Sequence, residues 1–446
     1  MTTRILWFRR DLRLGDHPAL LAAADGARVL PLFVLDPRLA APGPRLDRLL
    51  ASLAALRDAT SEALVIRSGD PASVVPTVAR EVGAHAVHVS AESTPYGRRR
   101  DALVRERLRG EGVEFVETGS PYAVTPGRVR NRTGDPYRVF TPFLHAWRDH
   151  GWRAPAGLAD VAWVRDVDSL ALPQHPQVDA GERAALERWQ SFLAEDLDGY
   201  ATDRDRPDLD STSRLSVALK YGEIHPRTLL ADLLDVAADA APADIERYVT
   251  ELAWREFHAD VLHHAPNSTR DDLRPTLRRM PHDPESELVD AWRAGRTGFP
   301  FVDAGMRQLL HEGWMHNRVR MVTASFLVKD LHVRWTLGAR HFLDHLIDGD
   351  IASNTHNWQW AAGTGTDAAP YFRIFNPVRQ GLRFDPSGDY VRRWIPELRH
   401  LDGATAHEPW RHADGHRHGY PERIIDHAQE RREALARLTE VKEHSR

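Results

Sequence analysis

The feature that most restricts the fold of this chain is a change of rhythm about a third of the way along it. Five short runs rich in β-branched and aromatic residues, RILWF at 4–8, RVLPLFVL at 28–35, ALVIRS at 63–68, AVHVS at 86–90 and VEFVE at 113–117, alternate with helical stretches. Strands separated by helices can cross over and pair in parallel, so the alternation predicts an α/β N-terminal domain, a parallel Rossmann-like sheet, over residues 1–130. Between Asn131 and Asp179 the periodicity fades amid GDP, RAPAGL and LPQHPQ, which predicts a connector over 131–180. From Glu182 onward a helical period dominates, in ERAALERWQSFL, VTELAWREFHADVLHH and VDAGMRQLLHEG, and predicts an all-α C-terminal domain over 181–446.

Composition narrows the chemistry. A length of 446 residues exceeds what one hydrophobic core organises, in keeping with two domains. The chain has no cysteine, which removes disulfides, thiolate metal sites, iron–sulfur clusters and a thiol nucleophile together. A formal charge of -5 carries no global basic signature, so contact with nucleic acid must come from a local patch of Arg. No apolar run long enough for a signal segment or a membrane span follows MTTRILWFRRDLR, and a soluble cytoplasmic protein without a membrane partner is expected. The 24 histidines show no HExxH or comparable ligand spacing, so no metal site is expected.

Four segments carry chemistry. In GYATDRDRPDLDSTSRLSVALKYGEIHP, Ser and Thr stand just before a helical run near Leu215, where they suit an N-cap or a bound phosphate, and local chemistry favours the cap. In LIDGDIASNTHNWQWAAGTGTDAAPYFRIFNP, residues 346–377, polar side chains stand among large aromatics. Each polar group buried there needs a partner, and a planar polar cofactor would supply several. In ELAWREF, Glu251 and Trp254 share a helix face, which alone means a surface carboxylate and a core indole. GWMHNRVRM, taken alone, is a solvated basic turn.

Taken together, LWFRRDLRL at 6–14, TSRLS, WMHNRVRM, LIDGD, TGTDAAPYFRIFNP and EPW at 408–410 resemble the photolyase/cryptochrome family, in particular its microbial class I cyclobutane-dimer photolyases, over nearly the whole chain. The resemblance implies FAD inside the helical domain, DNA containing pyrimidine dimers as partner, a monomer, and light-driven repair. Tyr200, Thr212, Ser213, Arg214, Leu215 and Ser216 match the family's phosphate-contacting stretch, which promotes a cradle over a cap. Arg320 and Asp348 match a pair bordering the isoalloxazine, Gly349 and Asp350 belong to the same flavin-binding stretch, and Asn354 matches the residue facing the ring nitrogen that gains a proton on reduction. Plant-type cryptochromes carry an acid there, so Asn354 implies repair rather than signalling.

Glu251, Trp254, Asn317, Met321 and Trp360 match the dimer pocket, with Glu251 hydrogen-bonding the pyrimidines, and the paired His of (6-4) members is absent. Arg204, Arg318, Arg373 and Gln380 match contacts to the DNA backbone. Trp358 and Trp335 match the proximal and middle tryptophans of the chain that reduces the flavin, but the distal position falls at His282; either photoreduction is slow or Trp292 or Trp314 ends the chain.

Tyr96 and Gly97 stand where folate-binding members carry an Asn–Glu pair, whereas PYGRRRD at 95–101 is similar to members with an 8-hydroxydeazaflavin antenna. Asp36, Arg45 and Asp101 are its candidate contacts, and an empty pocket or one holding FMN has equal weight. Two alternatives stay open: a cryptochrome-like photoreceptor, weakened by Asn354 and by the lack of a long tail after His427, and an electron-transfer flavoprotein, weakened by Trp254 and Trp360.

Overall fold

All five expected strands form, and each pairs in parallel with its neighbours. In this computed structural model, which describes every residue except 238–239, 367–371 and 444–446, β1 (Thr2–Phe8), β2 (Ala27–Leu35), β3 (Val65–Ser68), β4 (Ala84–Val89) and β5 (Glu114–Glu117) are ordered β3-β2-β1-β4-β5. The DAAPY part of the TGTDAAPYFRIFNP motif thus lies outside the described residues. Helices α1 (Pro18–Ala24), α2 (Pro44–Ala59), α3 (Pro71–Glu81) and α4 (Pro95–Gly110) make the crossovers, each opening on a proline whose missing N–H costs nothing in the first turn. Alternate residues of β1 enter opposite layers, Ile5 and Trp7 one and Leu6 and Phe8 the other, as a sheet covered on both faces requires.

The stretch expected as a connector contains more. Helix α5 (Phe140–His150) lies in it, and β6 (Ala162–Trp163) pairs in parallel with Arg28 and Val29 of β2. A two-residue strand is too short to show a period of two, so the sequence carried no sign of it. No strand follows Trp163 among the described residues.

The remaining elements are helices: α6 (Gly181–Glu195), α7 (Tyr200–Asp203), α8 (Ser216–Tyr221), α9 (Pro226–Asp235), α10 (Pro242–His264), α11 (Glu287–Arg293), α12 (Pro300–Glu312), α13 (Asn317–Ser325), α14 (Trp335–His345), α15 (Ile351–Ala362), α16 (Pro377–Phe384), α17 (Asp389–Trp394) and α18 (His427–Glu443). They divide between two compact units, one of Met1–Asp198 with Ser213–Pro266 and one of Gly199–Thr212 with Asn267–Arg446. Packing therefore groups α6 and α8 to α10 with the sheet, beyond the break in sequence rhythm at 181.

Ion pairs and side-chain-to-backbone bonds, most of them buried, tie these helices to the sheet unit. Glu223 receives the Arg48 guanidinium at 2.6 Å, Arg227 reaches Asp16 at 2.5 Å, and Glu182 accepts from the backbone N–H groups of Leu14 and Gly15 at 2.7 and 2.8 Å. On α10, Glu256 accepts from the N–H groups of Ala123 and Val124 and from the Trp147 indole, and burial pushes its pKa up to about 7. Chain reversal after α8 uses Gly222 at φ 71°, where a β-carbon would stand 1.9 Å from the Arg10 carbonyl oxygen. Gly222→Ala is expected to lower stability by about 3 kcal/mol in denaturant unfolding, through a left-handed backbone and an approach that only glycine permits; an unchanged midpoint would show that the loop relaxes.

Candidate active site

The second unit places the expected flavin residues on three adjoining elements. Asp350 caps α15, its Oδ1 accepting from the N–H groups of Ala352 and Ser353 at 3.0 Å. Just before it Asp348, 6% exposed, receives the Arg320 guanidinium from α13 at 2.8 Å, and Arg320 also donates to the Met315 carbonyl at 2.7 Å. The GWMHNRVRM segment is thus an ion-paired helix start and not a solvated turn. One turn along α15, the buried Asn354 donates its Nδ2 to the Ala339 carbonyl of α14 at 2.9 Å, which leaves Oδ1 as the end able to accept.

Trp358 follows on α15, buried against α14 where Gly338 leaves room: a β-carbon at 338 would lie 2.1 Å from Trp358 Cη2 and 2.6 Å from Leu327 Cδ2. Trp335 opens α14 three residues earlier, buried, its indole N–H on Asp272 Oδ1 at 2.6 Å. His282, at the expected distal position, is exposed. Trp292 is fully buried with its ring 6.2 Å from that of Trp358 and its N–H on the Thr323 carbonyl at 3.1 Å, so it neighbours Trp358 and forms no surface end. Trp314 is buried beneath the Arg320 guanidinium, 5.9 Å from its ring.

One residue the sequence reading missed is His316. Its Nδ1 caps α13 by accepting from the Arg318 N–H at 3.2 Å, so the proton sits on Nε2, a buried atom without an acceptor among the described residues. Burial, with Arg204, Arg318 and Arg320 adding to it against the opposing pull of Asp205, pushes its pKa down to about 3. A neutral N–H donor is therefore held ready at neutral pH. Asp348 Oδ1 and Arg318 Nε are likewise buried without partners. Such atoms cost free energy unless a polar ligand meets them, so the donor and acceptor set fits a polar cofactor beside α13 and α15. The only advance signal for His316 was its place just before a helix, where cap residues stand.

In the phosphate stretch, Tyr200 is buried at the start of α7. Ser213 is buried, its Oγ 2.9 Å from the Tyr248 hydroxyl and its carbonyl accepting from Arg188 at 3.0 Å, while Arg214 stands at φ 51°. Helix α8 starts after Leu215, whose own side chain cannot cap, and the Leu215 N–H just before it donates to Ser213 Oγ at 3.4 Å. Thr212 is half-buried and Ser216 exposed.

The expected substrate residues divide between the units. On α10, Glu251 is half-buried and holds Arg247 at 3.1 Å. Trp254 stacks on Phe140 with ring centres 3.6 Å apart and 7° between planes, so one indole face is already covered. In the other unit, Asn317 is exposed, Met321 and Trp360 are half-buried, and Trp360 lies 6.4 Å from Phe375. Arg318 pairs with Asp205 at 2.7 Å and lies over the Phe384 ring at 4.3 Å. Arg373 is exposed and Gln380 half-buried, whereas Arg204, 7% exposed, presents little surface to a phosphate.

The antenna candidates stand beyond the carboxyl ends of the strands, the side where open parallel sheets bind ligands. Asp36, just past β2, accepts from the Tyr96 hydroxyl and from the Arg38 N–H at 3.0 Å. Asp101 accepts from Arg9 at 2.7 Å and from Arg100 at 2.8 Å, and these two guanidiniums lie over the Trp7 ring at 4.8 and 4.9 Å. Arg45 keeps a buried Nη1 without a partner among the described residues. Those residues include no group of three His, Asp or Glu placed to hold a metal and no helix long and apolar enough to cross a membrane.

Two family models match the chain, one described as DNA photolyase over residues 4–159 and one as the FAD binding domain of DNA photolyase over residues 248–440. A deoxyribodipyrimidine photo-lyase of Streptomyces griseus is 42% identical over 97% of this chain and 98% of its own length. A bacterial class III photolyase of Agrobacterium tumefaciens has a TM-score of 0.93 at 37% identity, covering 99% of this chain and 98% of that one. An archaeal photolyase of Sulfolobus tokodaii, solved with two FAD molecules, has a TM-score of 0.85 at 28% identity over 98% of this chain and 100% of its own. A parallel-sheet unit and a helical FAD-binding region define a two-part flavoprotein. The chain belongs to the DNA photolyase family.

The packing of Trp358 is directly testable. Gly338→Ala is expected to cost about 2 kcal/mol in denaturant unfolding, because a rigid indole cannot swing away from the added methyl as a flexible chain would; wild-type stability would show that the ring is not seated on α14.

Proposed function

We propose that this chain is a deoxyribodipyrimidine photo-lyase that repairs cyclobutane pyrimidine dimers in DNA by light-driven electron transfer. FAD, bound in its reduced form, supplies the photoexcited electron that opens the dimer, with no net redox change. The observation that carries the reading is the fixed amide of Asn354, whose Nδ2 is tied to Ala339 so that Oδ1 is offered as an acceptor, as a flavin protonated on reduction needs. The acid expected of a plant-type photoreceptor is not there, which supports repair over signalling.

Arg320, Asp348, Gly349 and Asp350 would border the flavin ring and His316 would add a neutral donor. Tyr200 and residues 212–216 would hold the phosphates, with the left-handed backbone at Arg214 turning N–H groups outward. A dimer stacks and pairs poorly and so leaves the duplex at reduced cost. Trp254, backed by Phe140, would present its second face to the extruded bases, together with Trp360, Asn317 and Met321.

Glu251 would exchange its Arg247 partner for pyrimidine polar groups and stabilise the charge that develops there. Arg318, Arg373, Gln380 and, after local movement, Arg204 would position the DNA backbone and make affinity fall with salt. We place antenna binding in 1–130 and flavin and DNA binding in 181–446, with 131–180 between them. Asp36, Arg45 and Asp101 would hold an 8-hydroxydeazaflavin, a reading supported by the unmet Arg45 Nη1, with FMN or no second chromophore as the alternative. The protein acts as a cytoplasmic monomer in this scheme.

Illumination of the reduced protein with dimer-containing oligonucleotide is expected to restore thymine absorbance, and no recovery would refute the function. Glu251→Ala is expected to lower repair quantum yield about tenfold or more while dimer affinity changes less; equal losses in both would remove Glu251 from the chemistry. Asp348→Ala is expected to weaken FAD binding about a hundredfold by stranding Arg320, read by titrating the apoprotein with FAD; wild-type affinity would place the flavin elsewhere.

A further inference from the structure

The sequence leaves the electron chain without an end, since histidine stands where the distal tryptophan is expected. The structure holds something else at the middle member. Trp335 donates its indole N–H to a carboxyl oxygen, Asp272 Oδ1, at 2.6 Å, with both residues buried. A buried indole N–H needs an acceptor, and a carbonyl suffices, as Thr323 does for Trp292. A carbonyl cannot take the proton; a carboxylate can. Trp189 makes the same kind of bond to Asp232, so the bond by itself signifies nothing, and its placement decides.

That placement is built. Gln359, the residue after Trp358, donates to the carbonyls of Ser268 and Asp271 at 2.7 and 3.1 Å and accepts from the Leu273 N–H at 3.0 Å. His356 adds a bond to Ser268 Oγ at 3.0 Å. The loop carrying Asp272 is thereby fastened to the helix that carries Trp358, while Trp358 rests on α14 at Gly338, three residues from Trp335.

We propose that Trp335 is the terminal electron donor when light reduces the oxidised flavin, and that Asp272 takes its indole proton. One electron leaves Trp335 by way of Trp358 for the photoexcited oxidised flavin, and the Nε1 proton crosses to Asp272 Oδ1. A neutral tryptophanyl radical and a carboxylic acid remain. Return of the electron to the flavin is slowed because the proton must come back with it, which lets the chain work without a distal tryptophan. A soluble thiolate supplies one electron and leaves as a thiyl radical, and Asp272 returns its proton to Nε1, which restores the indole. Asp272 is a positioning and proton-accepting residue here, and the inference rests on the flavin reading above.

The test is transient absorption on the flavin-loaded, oxidised protein, with light-driven repair by the pre-reduced protein assayed alongside. Wild type is expected to show a cation radical converting to a long-lived neutral tryptophanyl radical, abolished in Trp335→Phe. Asp272→Asn, which keeps the shape of the acceptor and loses its basicity, is expected to stop at the cation and to recombine about tenfold faster or more, while pre-reduced repair stays at the wild-type level. A neutral radical formed at the wild-type rate in Asp272→Asn, or surviving in Trp335→Phe, overturns the proposal even where repair is intact; failure of repair in wild type overturns the enzyme reading instead. Should Asp272→Asn not fold, wild type alone decides: deuterium oxide must slow the cation-to-neutral conversion, and equal rates in the two solvents overturn the proposal.

Discussion

The close seating of α15 on α14 is the constraint from which the second unit's chemistry follows. A glycine at 338 removes the one β-carbon that would collide with the Trp358 ring, and the next residue, Ala339, offers its carbonyl to Asn354. Two consecutive residues thus set both the amide expected to face the flavin and the seat of Trp358. Trp335, one turn earlier, inherits its position from the same helix. Side chains on rigid, touching helices hold their geometry without ordering at the moment of reaction, which is what electrostatic and electron-transfer roles require.

Around that pair the unit leaves several strong polar atoms unmet. His316 Nε2, Arg318 Nε and Asp348 Oδ1 are buried without partners among the described residues, while structural carboxylates such as Asp303 are saturated by Thr297, Gly298 and Tyr420. The sheet unit shows the same contrast on a smaller scale: Asp101 is satisfied by two guanidiniums, and Arg45 is not satisfied. Buried polar groups that a fold neither pairs nor exposes lower stability, and they persist where a ligand completes them.

Reading outward from the sequence, the five strands and the main helices were legible because their periods are long and their caps and prolines local. Asn354, Asp348 and Arg320 were singled out through motif resemblance. Four features were not. β6 is too short for a period; the stacking of Trp254 on Phe140 joins residues over a hundred positions apart; His316 looked like part of a basic turn; and Asp272 sits in a polar stretch with no pattern of its own. The break in sequence rhythm at 181 also differs from the packing units, because Glu223 and Arg227 are tied to the sheet unit by buried ion pairs and Glu182 by backbone N–H groups, contacts that periodicity does not report.

By itself the amino-acid order determined the parallel sheet, the helical remainder, the lack of thiol chemistry and the motifs that point to a flavin. Each of these depends on local propensity, on spacing within an element or on composition. Tertiary structure alone decided which polar atoms stay unpaired among the described residues, that Trp254 stacks on Phe140, and that the partner of the Trp335 indole is a carboxylate. Those outcomes depend on distances between residues far apart in the chain, and such distances exist only once the helices have packed.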